Sequence, residues 1–436
     1  TRIPELKKIP RLNDYIKKYN NGSSKEEILK QIIEDSDWRK PYDYELEDWY
    51  IRIVTQAEKG IDGFEGAIVL DPKPGIYLDD PIAVLDYASL YPSSIIEKNI
   101  SHETLIEDLS LLPLIGEDNY DKIKYQNWSY VNTGKGDTIE KQMGDGETTC
   151  YFLKKEFMKE KNMIDNLPED KEPMGIVPSV LKHLLDARNA TKKRMKKEPD
   201  EFKRKVLDGL QLAYKVTANS VYGQLGAKTS TIYKMKLAAC TTSVGRSRID
   251  DASFGVKEWS RLKYGKDYPE PDVIYGDTDS VFVKFSRLKD GKLLEGKEAL
   301  EHCIKCGQEA GKFITKGELT VDNIDGGEDT DDHEPILCSP QDLEYEKTFW
   351  PFILISKKRY TGDKYEFDTE DCKRTSMGIV LKRRDNAQIV KHVFGNVIEK
   401  IMIDKDFHAT LNWLKQSLKE IREGNFPLRY FVITKA

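Results

Sequence analysis

Three aspartates carry the first chemical signal. Asp86 closes an apolar run, Pro81-Ile82-Ala83-Val84-Leu85, that reads as a buried strand. Asp277 and Asp279 stand in the turn Gly276-Asp277-Thr278-Asp279. The flanking runs, Val273-Ile274-Tyr275 and Val281-Phe282-Val283, predict a β-hairpin over Val273–Lys284. The i, i+2 spacing lets two carboxylates approach one point while the strands fix them. Hard oxygen ligands of this kind suit Mg²⁺, which is held by one or two carboxylates plus substrate phosphates and water. In a two-metal site one ion activates an attacking hydroxyl and the other neutralises the leaving group. The same four residues can equally be an ordinary turn, since Asp and Gly are common turn residues. The residues alone leave both readings open.

A second group is cationic. Val180–Lys197 predicts a helix with an apolar stripe at Val180, Leu181, Leu184 and Leu185 and with Pro178 near its start. Pro199 breaks it, and a second helix is expected from about Phe202 to Ser220. Helices of about 20 residues joined by a tight turn make an antiparallel hairpin roughly 30 Å long. Arg188 and Lys192 are i, i+4 on the first helix; Lys215 and Asn219 are i, i+4 on the second, with Tyr222 and Gly223 near the same face. Three cations around a groove suit a triphosphate. Lys193, Lys196, Lys197 and Lys203 read as a solvated basic surface with a general electrostatic role.

The frame for these groups is a chain of 436 residues with 39% apolar and 10% aromatic residues, which excludes global disorder and suggests several lobes. No apolar run approaches the roughly 18–20 residues of a membrane span. Net charge is −6, but Lys182–Lys205 holds ten Lys/Arg against four acids, whereas Glu318–Glu334 holds eight acids and no Lys/Arg. The latter, with Gly326–Asp332, predicts a solvated acidic loop. Six scattered Cys read as reduced and intracellular. Cys303-x-x-Cys306 beside His302 is half a zinc pattern on a helical segment, and a structural role is favoured because structural zinc wants four ligands. Further strands are expected at Ala67–Leu70, Leu343–Lys347 and Phe352–Ser356. Residues 103–175 read as an irregular polar insertion, and Asn386–Glu423 as mainly helical. The chain opens at Thr1 without Met and closes after the strand-like Tyr430–Ile433, so a piece of a longer protein is expected.

Four strings then stand in order: Asp86-Tyr87-Ala88-Ser89-Leu90-Tyr91-Pro92-Ser93-Ser94-Ile95, Lys215-Val216-Thr217-Ala218-Asn219-Ser220-Val221-Tyr222-Gly223, Tyr275-Gly276-Asp277-Thr278-Asp279-Ser280 and Lys357-Lys358-Arg359-Tyr360. Together they resemble the family B DNA polymerases of the replicative, delta-like type, over about residues 64–436. The wording of the first two strings is most similar to versions from large DNA viruses.

The resemblance implies an α+β, right-hand polymerase with an antiparallel-sheet palm, two-helix antiparallel fingers and a partial helical thumb. It divides the chain into an N-terminal segment (1–80), palm (81–176), fingers (177–227), palm again (228–382) and the start of the thumb (383–436). It implies template-directed addition of deoxynucleotides to a primer 3′-hydroxyl, with two Mg²⁺ ions for which Mn²⁺ can substitute. Asp86 and Asp279 would bind both metals, the Tyr87 carbonyl would add a ligand, and Asp277 would be auxiliary. Ser89 and Leu90 would offer backbone N–H groups to the triphosphate. Tyr91 would be the steric gate against a 2′-hydroxyl. Arg188, Lys192, Lys215 and Asn219 would hold phosphates, with Tyr222 and Gly223 under the nascent base pair. Lys358, with Arg359 and Tyr360, would contact the primer, and Arg383 and Arg384 would grip the duplex. Lys357–Tyr360 would end a strand, with a loop at Thr361–Glu370.

The implied partners are primer–template DNA, dNTPs and a sliding clamp reached through a C-terminal part not in this chain, with no membrane. The implied place is a nucleus, or for a virus the host nucleus or a cytoplasmic replication site. Phe64-Glu65-Gly66-Ala67 departs from the family's Tyr-x-Gly-Gly/Ala by lacking the hydroxyl. Asp43-Tyr44-Glu45 and Asp368-Thr369-Glu370 have the spacing of an exonuclease Asp-x-Glu but the wrong surroundings, and read as incidental. The competing function is an inactive polymerase-like scaffold that binds DNA.

Overall fold

The computed structural model describes residues 14–15, 18, 23–35, 46, 50, 63–132, 139–164, 167–168, 172–289, 291–322, 328–382 and 385–433. The chain divides into two compact units, residues 1–66 with 91–244, and residues 67–90 with 245–436.

The second unit is built on a seven-stranded antiparallel sheet. Its strands are β1 (Gly75–Tyr77), β2 (Ile82–Tyr87), β3 (Asp272–Asp277), β4 (Ser280–Lys284), β5 (Leu343–Ser356), β6 (Arg359–Tyr365) and β7 (Lys373–Met377). The order is β7-β6-β5-β2-β4-β3, with β1 also on β5. β2 is central, and all its residues but Asp86 are buried. That is why its sequence is a continuous apolar run rather than an alternating one. One face of the sheet is an aromatic layer of Phe282, Phe349, Phe352 and Tyr360 with Ile82 and Val84. The opposite face is covered by the helix Gly296–Lys316, whose Gly307 and Gly311 permit close approach. A Cβ on Gly307 would lie 2.7 Å from Tyr345 Cδ2, and one on Gly311 would lie 2.9 Å from the Leu343 carbonyl oxygen.

That helix also explains the cysteine pair. Cys303 and Cys306 are buried, Cys303 Sγ donates to the Pro81 carbonyl at 3.4 Å, and His302 contacts Cys306 Sγ at 3.5 Å. Burial raises both thiol pKa values, that of Cys306 to about 12, which disfavours the thiolate that zinc requires.

The first unit contains a helical hairpin, Ile176–Lys197 and Glu201–Gly226. Pro199 falls in its turn, and the Asp200 side chain caps the second helix through Lys203 N–H at 2.8 Å. Leu181, Ala218 and Leu225 join Ile95, Phe152 and Leu237 in one core.

Several expectations need correction. Residues 103–175 are not irregular: Tyr120–Asn132 and Ile139–Leu153 form a long antiparallel pair. Ile123, Tyr125, Cys150 and Phe152 supply the buried alternation hidden among polar residues. The acidic stretch pairs as Glu318–Asp322 with Glu328–Asp332. The expected strands at Leu343–Lys347 and Phe352–Ser356 are one bulged strand. It ends at Ser356, so Lys357 and Lys358 form the turn and the expected loop from Thr361 begins as β6. Ala67–Leu70 makes only the isolated bridge Val69–Asp277. Leu428–Phe431 is a 3₁₀ turn rather than a strand. A 30-residue helix, Met235–Tyr264, was not expected; its weak amphipathic pattern is interrupted by Gly, Ser and Thr. Gln388–Ile403 and Phe407–Arg422 supply the expected C-terminal helices.

Candidate active site

Register places the aspartates. Asp86 pairs with Ser280 on β4, and Ser280 pairs with Asp277 on β3. On the other side Asp86 pairs with Glu344 on β5. Glu344, Asp86, Ser280 and Asp277 therefore form one polar row on one face, because directly opposed residues share a face. The aromatic layer of that face gives way to this row at the ends of the strands.

With adjacent strands about 4.8 Å apart, Asp277 stands two strands, roughly 10 Å, from Asp86 at the backbone. Asp279 is brought closer: its carbonyl accepts from Tyr87 N–H at 2.8 Å. The turn between them is tight. Asp279 N–H donates to the Asp277 carbonyl at 2.7 Å across Thr278, whose φ is +62°. A β-branched residue in this region is strained by about 1–3 kcal/mol. The surroundings hold it there: Thr278 N–H donates to Ile68 O at 3.0 Å and Leu70 N–H to Gly276 O at 2.9 Å.

Asp277 already has partners. Lys358 Nζ lies 2.5 and 2.7 Å from its two oxygens, and the Thr278 hydroxyl donates to it at 3.1 Å. Tyr275 OH reaches Asp277 at 3.4 Å and accepts from Lys358 N–H at 2.8 Å. Burial, opposed by the Lys358 N–H and reinforced by the Asp277 charge, raises the Tyr275 pKa, so its hydroxyl stays protonated. Lys358 occupies a positive-φ turn position, φ +59°, between β5 and β6.

The donor set fits a hard divalent ion. Asp86, Asp279 and the Tyr87 carbonyl offer oxygens only. Among the described residues no three His, Cys, Asp or Glu side chains form a ready-made metal cage. Such a set suits Mg²⁺, whose shell is completed by substrate oxygens and water. Ser89 is a further singular position: its φ is +62° and its buried hydroxyl has no hydrogen-bond partner among the described residues. Leu90 is buried beside it. Glu344 was missed from the sequence; the buried–exposed alternation of Leu343-Glu344-Tyr345-Glu346 was the available signal.

Within the first unit, Arg188 and Lys192 lie half-buried on one helix of the hairpin, while Lys215 and Asn219 are exposed on the other. Arg188 Nε donates to Gln211 Oε1 at 3.4 Å, a partner the sequence did not suggest. Tyr91 and Tyr222 pack ring to ring at 4.4 Å. A Cβ on Gly223 would meet nothing within 4 Å. Phe64 packs against the core of this unit.

Of the residues expected at DNA, Lys358 and Arg359 are exposed. Tyr360 is corrected to a core position: its ring packs edge-on against Phe282 at 5.4 Å and Phe349 at 5.9 Å, and burial raises its pKa to about 12. Arg383, Arg384 and the Asp43-Tyr44-Glu45 triplet lie outside the described residues. Asp368 side-chain oxygen accepts from Glu370 and Asp371 N–H, a local turn.

A mixed helical and antiparallel-sheet chain with a row of carboxylates at its strand ends defines a class of acidic, oxygen-donor sites. The family model for DNA polymerase family B matches residues 27–317 and 332–436. The chain belongs to that family. It is 38% identical to a DNA polymerase of Pyramimonas orientalis virus, over 87% of this chain and 31% of that protein. It is 34% identical to the DNA polymerase delta catalytic subunits of Candida albicans, over 87% of this chain and 30% of that one, and of Schizosaccharomyces pombe, over 92% and 30%. The chain thus spans about a third of the length of the curated relatives it matches. No described helix is long and apolar enough to cross a membrane.

Proposed function

We propose that this chain carries the polymerising part of a DNA-directed DNA polymerase, with the seven-stranded sheet as palm, the helical hairpin as fingers and the C-terminal helices as the start of a thumb. The carrying observation is the register that sets Asp86 beside the Asp279 turn through Tyr87 N–H and Asp279 O. Two Mg²⁺ ions, when bound, supply activation of the primer 3′-hydroxyl and neutralisation of the leaving pyrophosphate. Asp86, Asp279 and the Tyr87 carbonyl would hold them.

The protein's own tasks are positioning and charge. Arg188, Lys192 and Lys215 bind the triphosphate, and Asn219 aligns it. The backbone N–H groups of Ser89 and Leu90 donate to its oxygens. Tyr91, braced by Tyr222, closes the space beneath the sugar and excludes a 2′-hydroxyl, while bare Gly223 lets the nascent pair approach. Asp277 is engaged by Lys358, so it tunes the site instead of bridging metals. Lys358 and Arg359 contact the primer, and Arg383 and Arg384 are assigned, on the resemblance alone, to the duplex backbone. Primer–template DNA and dNTPs are the substrates. A sliding clamp as a further partner, and a nuclear or viral replication site as the place of action, belong to the same proposal.

Primer extension with Mg²⁺ and dNTPs tests this. Template-dependent growth is expected. Tight primer–template binding without synthesis would favour the scaffold reading instead.

A further inference from the structure

Tyr87 is the last residue of β2, and its backbone stands at the carboxylate row. Tyr87 N–H donates to Asp279 O at 2.8 Å on the β4 side, and Ala88 N–H donates to Asp342 O at 2.8 Å on the β5 side. The C=O and N–H of one trans peptide point in opposite directions. Ala88 N–H points toward β5, so the Tyr87 carbonyl of the same peptide points the other way, toward the Asp279 turn. Ser89, with φ +62°, leaves the extended conformation two residues later. The peptide that offers its carbonyl to the site is therefore the last one the sheet can hold.

The ring of Tyr87 lies on the other face. Successive side chains of a strand leave on opposite faces. Asp86 belongs to the polar row, so the Tyr87 ring leaves on the face that the helix Gly296–Lys316 covers. The helix Met235–Tyr264 packs against that helix: a Cβ on Gly255 would lie 2.6 Å from Ile314 Cγ1. The Tyr87 ring is 1% exposed, and its hydroxyl donates at 2.6 Å to the carbonyl of Arg248, inside the helix Met235–Tyr264. A carbonyl has two lone pairs, so Arg248 O can accept from Tyr87 and keep its place in the helix ladder. The acceptor is thus as rigid as the helix that carries it.

We propose that the Tyr87 hydroxyl is a positioning group for the metal site. By tying the ring to the helix, it fixes the angle of the Tyr87 peptide and the placing of Asp86 beside the Asp279 turn. The inference rests on the assignment of Asp86, Asp279 and the Tyr87 carbonyl to divalent ions. A tyrosine ring turns about two bonds in well-defined wells, so anchoring its far end leaves the Cα little freedom. That matters because a working site must be held to about 0.5 Å. The phenol touches neither metal nor substrate; it acts through the backbone of its own residue.

Tyr87→Phe removes one oxygen and keeps the ring. Electron paramagnetic resonance of Mn²⁺ titrated into the whole chain, without nucleotide or DNA, reads metal binding without turnover. Affinity should fall about tenfold, the low end of the 10–100-fold cost of losing a group that supports a metal ligand. In primer extension the half-saturating Mg²⁺ concentration should rise, KM for dNTP should stay unchanged, and excess Mg²⁺ should restore the rate. Tyr268→Phe is the control. Its hydroxyl also donates to a main-chain carbonyl, Leu288 O at 2.6 Å, but Leu288 belongs to a separate two-stranded hairpin. That variant should bind Mn²⁺ like the unaltered chain. Equal weakening in Tyr268→Phe overturns the positioning role alone. So does unchanged Mn²⁺ affinity in Tyr87→Phe when Asp86→Asn loses it. Mn²⁺ binding that survives Asp86→Asn overturns the metal assignment and this inference with it.

Discussion

Replacing Gly307 by Ala should destabilise the sheet-bearing unit, although Ala is the better helix former. Exchanging Gly for Ala within a helix gains about 0.8–1 kcal/mol from propensity. At Gly307 the added Cβ would lie 2.7 Å from Tyr345 Cδ2, 3.3 Å from Cε2 and 3.4 Å from Ala83 Cβ. The ring cannot swing aside freely. Tyr345 OH donates to Glu366 O at 2.6 Å and meets Thr348 Oγ1 at 2.9 Å. Overpacking of this kind costs about 1–3 kcal/mol, and each neutral hydrogen bond lost costs about 1 kcal/mol more. With one hydrogen bond lost, the clash outweighs propensity by about 1–3 kcal/mol. At about 2–4 °C per kcal/mol for a unit of this size, the melting temperature should fall by roughly 2–12 °C. Gly209→Ala is the matched control. It lies within the helix Glu201–Gly226, where a Cβ meets nothing within 4 Å, so the same exchange should stabilise by about 0.5–1 kcal/mol. Scanning calorimetry of the two variants reads both signs. A rise in melting temperature for Gly307→Ala, matching that of Gly209→Ala, would refute the close approach of helix to sheet.

Other expectations follow from single contacts. The Lys358–Asp277 pair, with 61% of the lysine and 23% of the aspartate side chain exposed, should couple by no more than about 1 kcal/mol. A double-mutant cycle of Asp277→Asn and Lys358→Gln in urea checks this; coupling above about 3 kcal/mol would contradict it. Burial raises the thiol pKa values of Cys303 and Cys306, the latter to about 12. Both should stay protonated and slow to label at pH 8, while exposed Cys338 and Cys372 react first. Mass-spectrometric mapping of a thiol reagent reads the order, and early labelling of Cys306 would be the contrary result. Tyr91→Ala should admit ribonucleotides; unchanged selection for deoxynucleotides would remove the gate role from Tyr91.

Legibility of the fold followed periodicity. The apolar strand before Asp86, the hairpin about Asp277–Asp279 and the basic helical pair were readable because each has a single dominant pattern. The pair Tyr120–Asn132 and Ile139–Leu153 was not, because its inward residues are few and its polar residues many. The helix Met235–Tyr264 lacked a sharp stripe. At the site, residue types and strings pointed to Asp86, Asp279 and Lys358 as candidates, and the register brings Asp86 and the Asp279 turn together. They could not show that Lys358 reaches across to Asp277, that Glu344 lies opposite Asp86, or that Tyr360 turns into the aromatic core. Those relations depend on register, and a one-residue shift in pairing reverses every face. The strain at Thr278 is likewise invisible in sequence, where Thr is simply another turn residue.

Magnesium-dependent primer extension by three single variants, Asp86→Asn, Asp279→Asn and Asp277→Asn, tests the central claim most directly. Removing one group that stabilises transition-state charge costs about 10²–10³ in rate, and more is expected where a metal ligand is lost. Asp86→Asn and Asp279→Asn should each lose about a thousandfold or more, whereas Asp277→Asn should keep measurable synthesis. Undiminished extension by Asp86→Asn or Asp279→Asn, or a loss in Asp277→Asn equal to theirs, would contradict the assignment.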